Sequence, residues 1–174
     1  MKSNVLLIGM PATGKSVLGR RLAKSLDMTF IDTDDLISEL TGMSIQKALD
    51  HFGNQGFVEK ERQVLLGIKQ QDVVISSGGS AIYQTDAIEY LQENAIVVHL
   101  FAEMQSLYDR IHNFSTRALV IDEGMSFAEL YDQRMPLYEA VADISVSTDQ
   151  QISIKQSLND LLNQLEQHID YARR

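Results

Sequence analysis

Lys15 and Ser16 close the stretch Gly9-Met10-Pro11-Ala12-Thr13-Gly14-Lys15-Ser16, which fits the pattern G-x-x-x-x-G-K-[ST]. The chemistry this spacing serves is phosphate binding. Gly9 and Gly14 let the backbone wrap an anion. The free N–H groups of Pro11 to Val17, proline excepted, then point inward at the start of a helix. Lys15 adds a point charge for the β- and γ-phosphates of a nucleotide, and the Ser16 hydroxyl can ligate Mg²⁺. A second group of oxygens follows in Asp32-Thr33-Asp34-Asp35. Asp32 and Asp34 alternate along an extended segment, so both can face the phosphates. One could hold Mg²⁺ through water while the other accepts a proton from a substrate hydroxyl. A plainer role is also open to Asp32 or Thr33, as the cap of a helix starting near Asp35.

Further features carry potential chemistry. Gly78-Gly79, at a strand end, permits close approach of the backbone to a ligand. Arg117 lies in a polar, irregular stretch at 113–124, where an arginine can close over phosphates as part of a lid or simply be solvated. Arg110 ends one predicted helix, and Arg134 lies one turn before Tyr138 on another. Glu61 shares a helical face with Phe57, Val64, Leu65 and Ile68. A carboxylate on such an apolar stripe needs a partner or a raised pKa.

The elements that must position these groups alternate in type. Short apolar runs at Asn4–Ile8, Met28–Ile31, Asp72–Ser76, Ala95–Phe101 and Asp143–Ser147 read as strands. Helical periodicity fills the intervals: 17–26, 35–40, 44–52, 57–69, 85–93, 103–112, 126–142 and an amphipathic closing helix from Ile154 to Ile169. Strand–helix alternation predicts an α/β fold with a mostly parallel sheet wrapped by helices. The strand at 72–76 ends in serine where a Walker B strand would carry aspartate, which argues against a GTPase or motor-type NTPase. His99 lies inside a strand and reads as a satisfied structural residue. The four histidines have no metal-ligand spacing.

The 174 residues suit one domain with a substantial core. A net charge of −9 argues against nucleic acid or an anionic membrane as a partner. There are no cysteines, hence no disulfides or thiolate metal sites, and no apolar run approaches a membrane span. The expectation is a soluble cytoplasmic monomer acting on a small molecule.

In this order the motifs resemble the shikimate kinase family along the whole chain: the loop at 9–16, Asp32-Thr33-Asp34, Gly53-x-x-x-Phe57-x-x-x-Glu61, Gly78-Gly79, Thr116-Arg117-Ala118-Leu119-Val120, and Arg134-Met135-Pro136-Leu137-Tyr138. The resemblance implies a nucleoside-monophosphate-kinase-like, three-layer α/β/α P-loop domain spanning 1–174. It would have a five-stranded parallel sheet, a substrate-binding segment near 33–61 and a mobile lid at 112–124. It implies Mg²⁺-dependent transfer of the ATP γ-phosphoryl to the 3-hydroxyl of shikimate, a step toward aromatic amino acids. Lys15 and Arg117 would stabilise the transferring group, and Arg110 would lie near the nucleotide. Ser16 would ligate Mg²⁺, with Asp32 acting through water and Ser76 nearby. Asp34 would bind substrate hydroxyls and serve as base, Gly78 and Gly79 would line the substrate pocket, and Arg134 would pair with the substrate carboxylate.

Four positions depart from the family pattern: Asn54 for glutamate, Ser80 for a third glycine, Ala118 for the lid proline, and Val58 for an arginine that completes the carboxylate clamp. Loss of half of such a clamp should weaken acceptor binding by roughly ten- to a hundredfold. It should also leave Glu61 without its expected partner. Another hydroxy-acid or polyol kinase, or a nucleotide-binding homologue without turnover, are the alternatives this leaves.

Overall fold

The computed structural model describes residues 2–111 and 119–172, the last four by backbone only. Five strands, β1 (Asn4–Ile8), β2 (Thr29–Asp32), β3 (Val73–Ser76), β4 (Ala95–Phe101) and β5 (Ile144–Ser147), form one sheet in the order β2-β3-β1-β4-β5. Every pairing is parallel. All five residues of β1 are buried, as expected of a central parallel strand with helices on both faces.

Alternation along the strands sends side chains into two separate cores. Leu6, Ile8, Ile75 and Val97 pack with residues of helices α3 (Ile45–Gly67), α4 (Thr85–Gln92) and α6 (Phe127–Val141). Val5, Leu7, Val74 and Val98 face α1 (Lys15–Leu26) and α7 (Ile154–Ala172), meeting Leu18, Leu22, Leu161 and Leu165. Helices α2 (Thr33–Thr41) and α5 (Met104–Arg110) complete the order, with a 3₁₀ turn at Ala81–Tyr83. No helix among the described residues is long and apolar enough to cross a membrane.

Two predicted boundaries move for physical reasons. Helix α2 begins at Thr33 because Asp32 caps it, its Oδ1 accepting the Asp34 N–H at 3.2 Å. The segments predicted as 44–52 and 57–69 join into one helix, α3, kinked at Gly53, where φ is 66° and ψ is 177°. Only a residue without Cβ takes that backbone state readily, so the kink stands at a glycine. Phe57, Glu61, Val64 and Leu65 are buried on its inner face, as the periodicity requires.

Candidate active site

The C-terminal ends of β1, β2 and β3 lie at one end of the sheet, and the loops after β1 and β3, with the first turn of α2 after β2, line one cavity of about 630 Å³. That is where open parallel sheets place ligands. The loop after β1 holds Gly9 at φ 140° and Gly14 at φ 85°. A Cβ on Gly9 would lie 2.2 Å from the Leu100 carbonyl oxygen, so the loop seats on β4 only because that residue is glycine. Ala12 also takes a left-handed φ of 68°, a conformation that costs a non-glycine residue about 1–2 kcal/mol.

Lys15 is buried beneath this loop. Its ammonium donates to the Gly9 and Met10 carbonyls at 2.8 and 2.9 Å, and reaches the Thr13 hydroxyl at 3.4 Å. Burial lowers its pKa to about 8, while the Asp34 and Asp32 charges act in the opposite sense. Ser16 and Ser76 bring their hydroxyl oxygens to 3.4 Å. Asp32, the register partner of Ser76, stands beside them and uses one carboxylate oxygen for capping. Two hydroxyls and the remaining carboxylate oxygen make a hard-oxygen set, which fits Mg²⁺ completed by phosphate and water. Among the described residues, no group of three or more His, Cys, Asp or Glu could hold a metal without such help.

Asp34 opens onto the cavity, yet protein crowds it closely. Loss of solvation, reinforced by Asp32 and opposed by Lys15, raises its pKa to about 6. The glycine pair lies against it. A Cβ on Gly78 would fall 2.1 Å from Glu61 Oε1 and 3.7 Å from Asp34 Oδ1. One on Gly79 would fall 3.0 Å from both Arg134 Nη1 and Pro11 Cδ. Two carboxyl groups therefore meet one glycine, and a guanidinium meets the next. Thr33 fixes the pair from one side, its hydroxyl accepting the Gly78 N–H at 3.1 Å. Tyr138 fixes it from the other, donating its hydroxyl to the Gly79 carbonyl at 2.6 Å.

Arg134 reaches the cavity from α6, which starts with a capping box of Ser126 and Glu129. It is only 1% exposed. Its Nε donates to the Tyr83 hydroxyl at 3.1 Å and its Nη2 to the Val120 carbonyl at 2.6 Å. Arg110 bridges two segments, donating to the carbonyls of Ala12 and Thr148. It thus joins the phosphate loop to the stretch after β5. Pro11, Ala12, Gly14, Val17, Gly78 and Gly79 all line the cavity, and Thr13 is packed beneath it against Met10.

Arg117 and the first part of the expected lid, 112–118, lie outside the described residues. Leu119 and Val120, which follow, line the cavity. Asn54 donates to the Ile121 carbonyl at 2.7 Å, tying the end of this segment to α3.

One sequence expectation changes here and one is completed. Glu61 has no cationic partner among the described residues; Ser80 instead donates its hydroxyl to Oε2 at 2.6 Å, and Oε1 has none. Arg62 points away and pairs with Asp86 and Glu59 on the surface. His99 is not satisfied. Neither ring nitrogen has a hydrogen-bond partner among the described residues, and the ring stacks on Tyr138 at 5.2 Å. Burial, helped by Lys15, lowers its pKa to about 4, so it stays neutral. Thr33 and Tyr83 were missed because their roles depend on partners 45 and 51 residues away, which no local pattern signals.

The family model for shikimate kinase matches residues 11–166. A shikimate kinase of Vibrio cholerae is 36% identical over 171 residues, covering 97% of this chain and 98% of the relative. One of Haemophilus influenzae is 36% identical over 154 residues, covering 86% of each. The solved structure of Acinetobacter baumannii shikimate kinase in complex with shikimate superposes with a TM-score of 0.82 at 30% identity, over 99% of this chain and 95% of that one. Family match, near full-length relatives and a shared P-loop kinase fold lead to one conclusion: the chain belongs to the shikimate kinase family.

Proposed function

We propose that this protein transfers the γ-phosphoryl group of ATP to the 3-hydroxyl of shikimate. The observation that carries the reading is the arrangement around Gly78 and Gly79, with Asp34 beside one and Arg134 beside the other. A small molecule bearing both a hydroxyl and a carboxylate can span that pair, its hydroxyl toward Asp34 and the phosphate loop. The Acinetobacter relative with shikimate bound supports the same acceptor.

In this reading residues 33–61 supply most of the acceptor side and 112–124 the lid, with Arg117 acting on the transferring group. The acceptor oxygen forms a bond to the γ-phosphorus as the bond to the β-phosphate oxygen breaks. Asp34, with a pKa raised toward neutrality, takes the hydroxyl proton. Lys15 exchanges its loop carbonyls for phosphate oxygens and neutralises charge that develops during transfer. Arg110 borders the nucleotide, beside the segment after β5. Ser16 and Asp32 would hold Mg²⁺, which neutralises phosphate charge and orients the leaving group. Arg134 orients the acceptor through its carboxylate, and positioning of this kind supplies much of the rate.

The test is ADP release by purified protein with ATP and Mg²⁺, shikimate being titrated from micromolar to tens of millimolar. Saturable turnover is expected. Turnover confined to other hydroxy acids or polyols would overturn the choice of acceptor, and nucleotide binding with no turnover in any mixture would overturn the reading as an enzyme.

A further inference from the structure

Glu61 is fully buried, yet it forms no ion pair among the described residues. Its one hydrogen-bond partner is neutral, the Ser80 hydroxyl at 2.6 Å, and Oε1 has none. The two cations nearest to it along its own helix are engaged elsewhere, Arg62 with Asp86 and Lys60 over the Phe52 ring. From the other elements packed around it, Asp34 faces it from α2, Lys15 from α1, and Arg134 and Tyr138 from α6. The carboxyl forms part of the cavity wall that also carries Asp34 and Arg134. Gly78, where a Cβ would fall on Oε1 and close to Asp34 Oδ1, leaves room for both carboxyl groups beside one backbone position.

We propose that Glu61 is a specificity-determining residue of the acceptor pocket: uncharged, it leaves Arg134 to bind the carboxylate of an anionic acceptor, and charged, it competes for Arg134 and opposes that carboxylate. The inference rests on the reading of this pocket as the acceptor site. An ionised Glu61 has no cation of its own to pair with, so its charge acts on whatever shares the cavity. At short range in a partly dry site such an interaction is far stronger than the same pair in water. Burial raises the Glu61 pKa to about 7, with Asp34 acting in the same direction. The Ser80 hydrogen bond, Arg134 and Lys15 act against it. The switch between the two states thus falls near neutral pH, where shikimate itself remains an anion.

Two readouts decide the matter. The first is the KM for shikimate, and for its uncharged methyl ester, measured from about pH 5.5 to about pH 8.5 in the unaltered protein, Glu61→Gln and Ser80→Ala. The KM for shikimate is expected to rise roughly tenfold across that range in the unaltered protein. It should be nearly flat in Glu61→Gln, and the rise should move to higher pH in Ser80→Ala. The ester should show no comparable rise, whereas effects of Asp34 and Lys15 on turnover would be common to both acceptors. The second readout is the carbon-13 NMR titration of the Glu61 carboxyl in the ligand-free protein, which needs no turnover. An unchanged pH dependence in Glu61→Gln, or an equal one with the ester, overturns the proposal. If shikimate is not phosphorylated at any pH, the proposed function fails by itself. The NMR titration then decides this inference: a midpoint near neutrality supports it, and one in the ordinary carboxylate range overturns it.

Discussion

Arg134 donates its Nε to the Tyr83 hydroxyl at 3.1 Å, and that hydroxyl donates in turn to Gln133 Oε1 at 2.7 Å. The guanidinium carbon also lies 5.0 Å from the centre of the Tyr83 ring. Tyr83 therefore fixes both the direction and the plane of the cation that faces the acceptor. Hydrogen bonds to charged groups contribute about 1.5–3 kcal/mol. Tyr83→Phe is expected to raise the acceptor KM several-fold to tenfold and to leave the ATP KM nearly unchanged. Steady-state kinetics with each substrate varied in turn checks this. An equal rise in both KM values would show that Tyr83 supports the whole site rather than Arg134.

Val58 borders a second cavity of about 320 Å³ beside Tyr83 and Val120, one helical turn before Glu61. That cavity leaves room for a longer side chain at position 58. Val58→Arg is expected to lower the shikimate KM by roughly tenfold, through restored charge-assisted binding, with the ATP KM unaffected. It should also lower the pH at which Glu61 titrates. A shikimate KM that does not fall would remove Val58 from the account of acceptor binding.

The raised pKa of Glu61 carries a stability consequence of definite sign. Its folded value, about 7, lies above the unfolded value near 4.5, so the fold favours the protonated form. The resulting contribution is fully present below the unfolded pKa and is lost as pH rises through about 7. Relative to Glu61→Gln, the unaltered protein should lose about 2–4 kcal/mol of stability between acidic and mildly alkaline pH. Urea denaturation of both proteins across that range measures the difference, and parallel stability curves would contradict it.

Gly78 and Gly79 differ in what a methyl group would meet. At Gly78 it meets Glu61 Oε1 at 2.1 Å, and at Gly79 Arg134 Nη1 and Pro11 at 3.0 Å. Overpacking of this kind costs about 1–3 kcal/mol. Gly78→Ala is expected to reduce kcat/KM for the acceptor at least tenfold by displacing Glu61 and Asp34. Gly79→Ala should act mainly on the acceptor KM through Arg134. Nucleotide affinity, measured by fluorescence or calorimetry, should change little in Gly78→Ala.

Lys15→Ala and Asp34→Asn are expected to lower kcat by about a hundredfold or more, because each removes a group from the reacting centre. Neither should unfold the chain, since the native state of each residue already carries a desolvation cost. Circular dichroism melts should therefore be close to those of the unaltered protein. Near-normal turnover in either variant would reassign the role of that residue.

Much of this site follows from local sequence. The phosphate loop declares itself because its glycines, lysine and serine must be contiguous to fold round an anion. Strand–helix alternation sets the fold class, and parallel pairing then brings the ends of β1, β2 and β3 together whatever their loops contain. The amphipathic stripe of α3 likewise places Glu61 inside whatever its partner. What the sequence could not supply is the identity of contacts across many residues. Ser80 answering Glu61, Tyr83 holding Arg134, and Thr33 pinning Gly78 each join residues 19 to 51 positions apart. Such pairs carry no periodicity, since they are chosen by the packing of helices onto the sheet rather than by spacing along the chain. The same holds for the charge states of Asp34, Glu61 and His99, which depend on how much water the finished fold leaves beside each group.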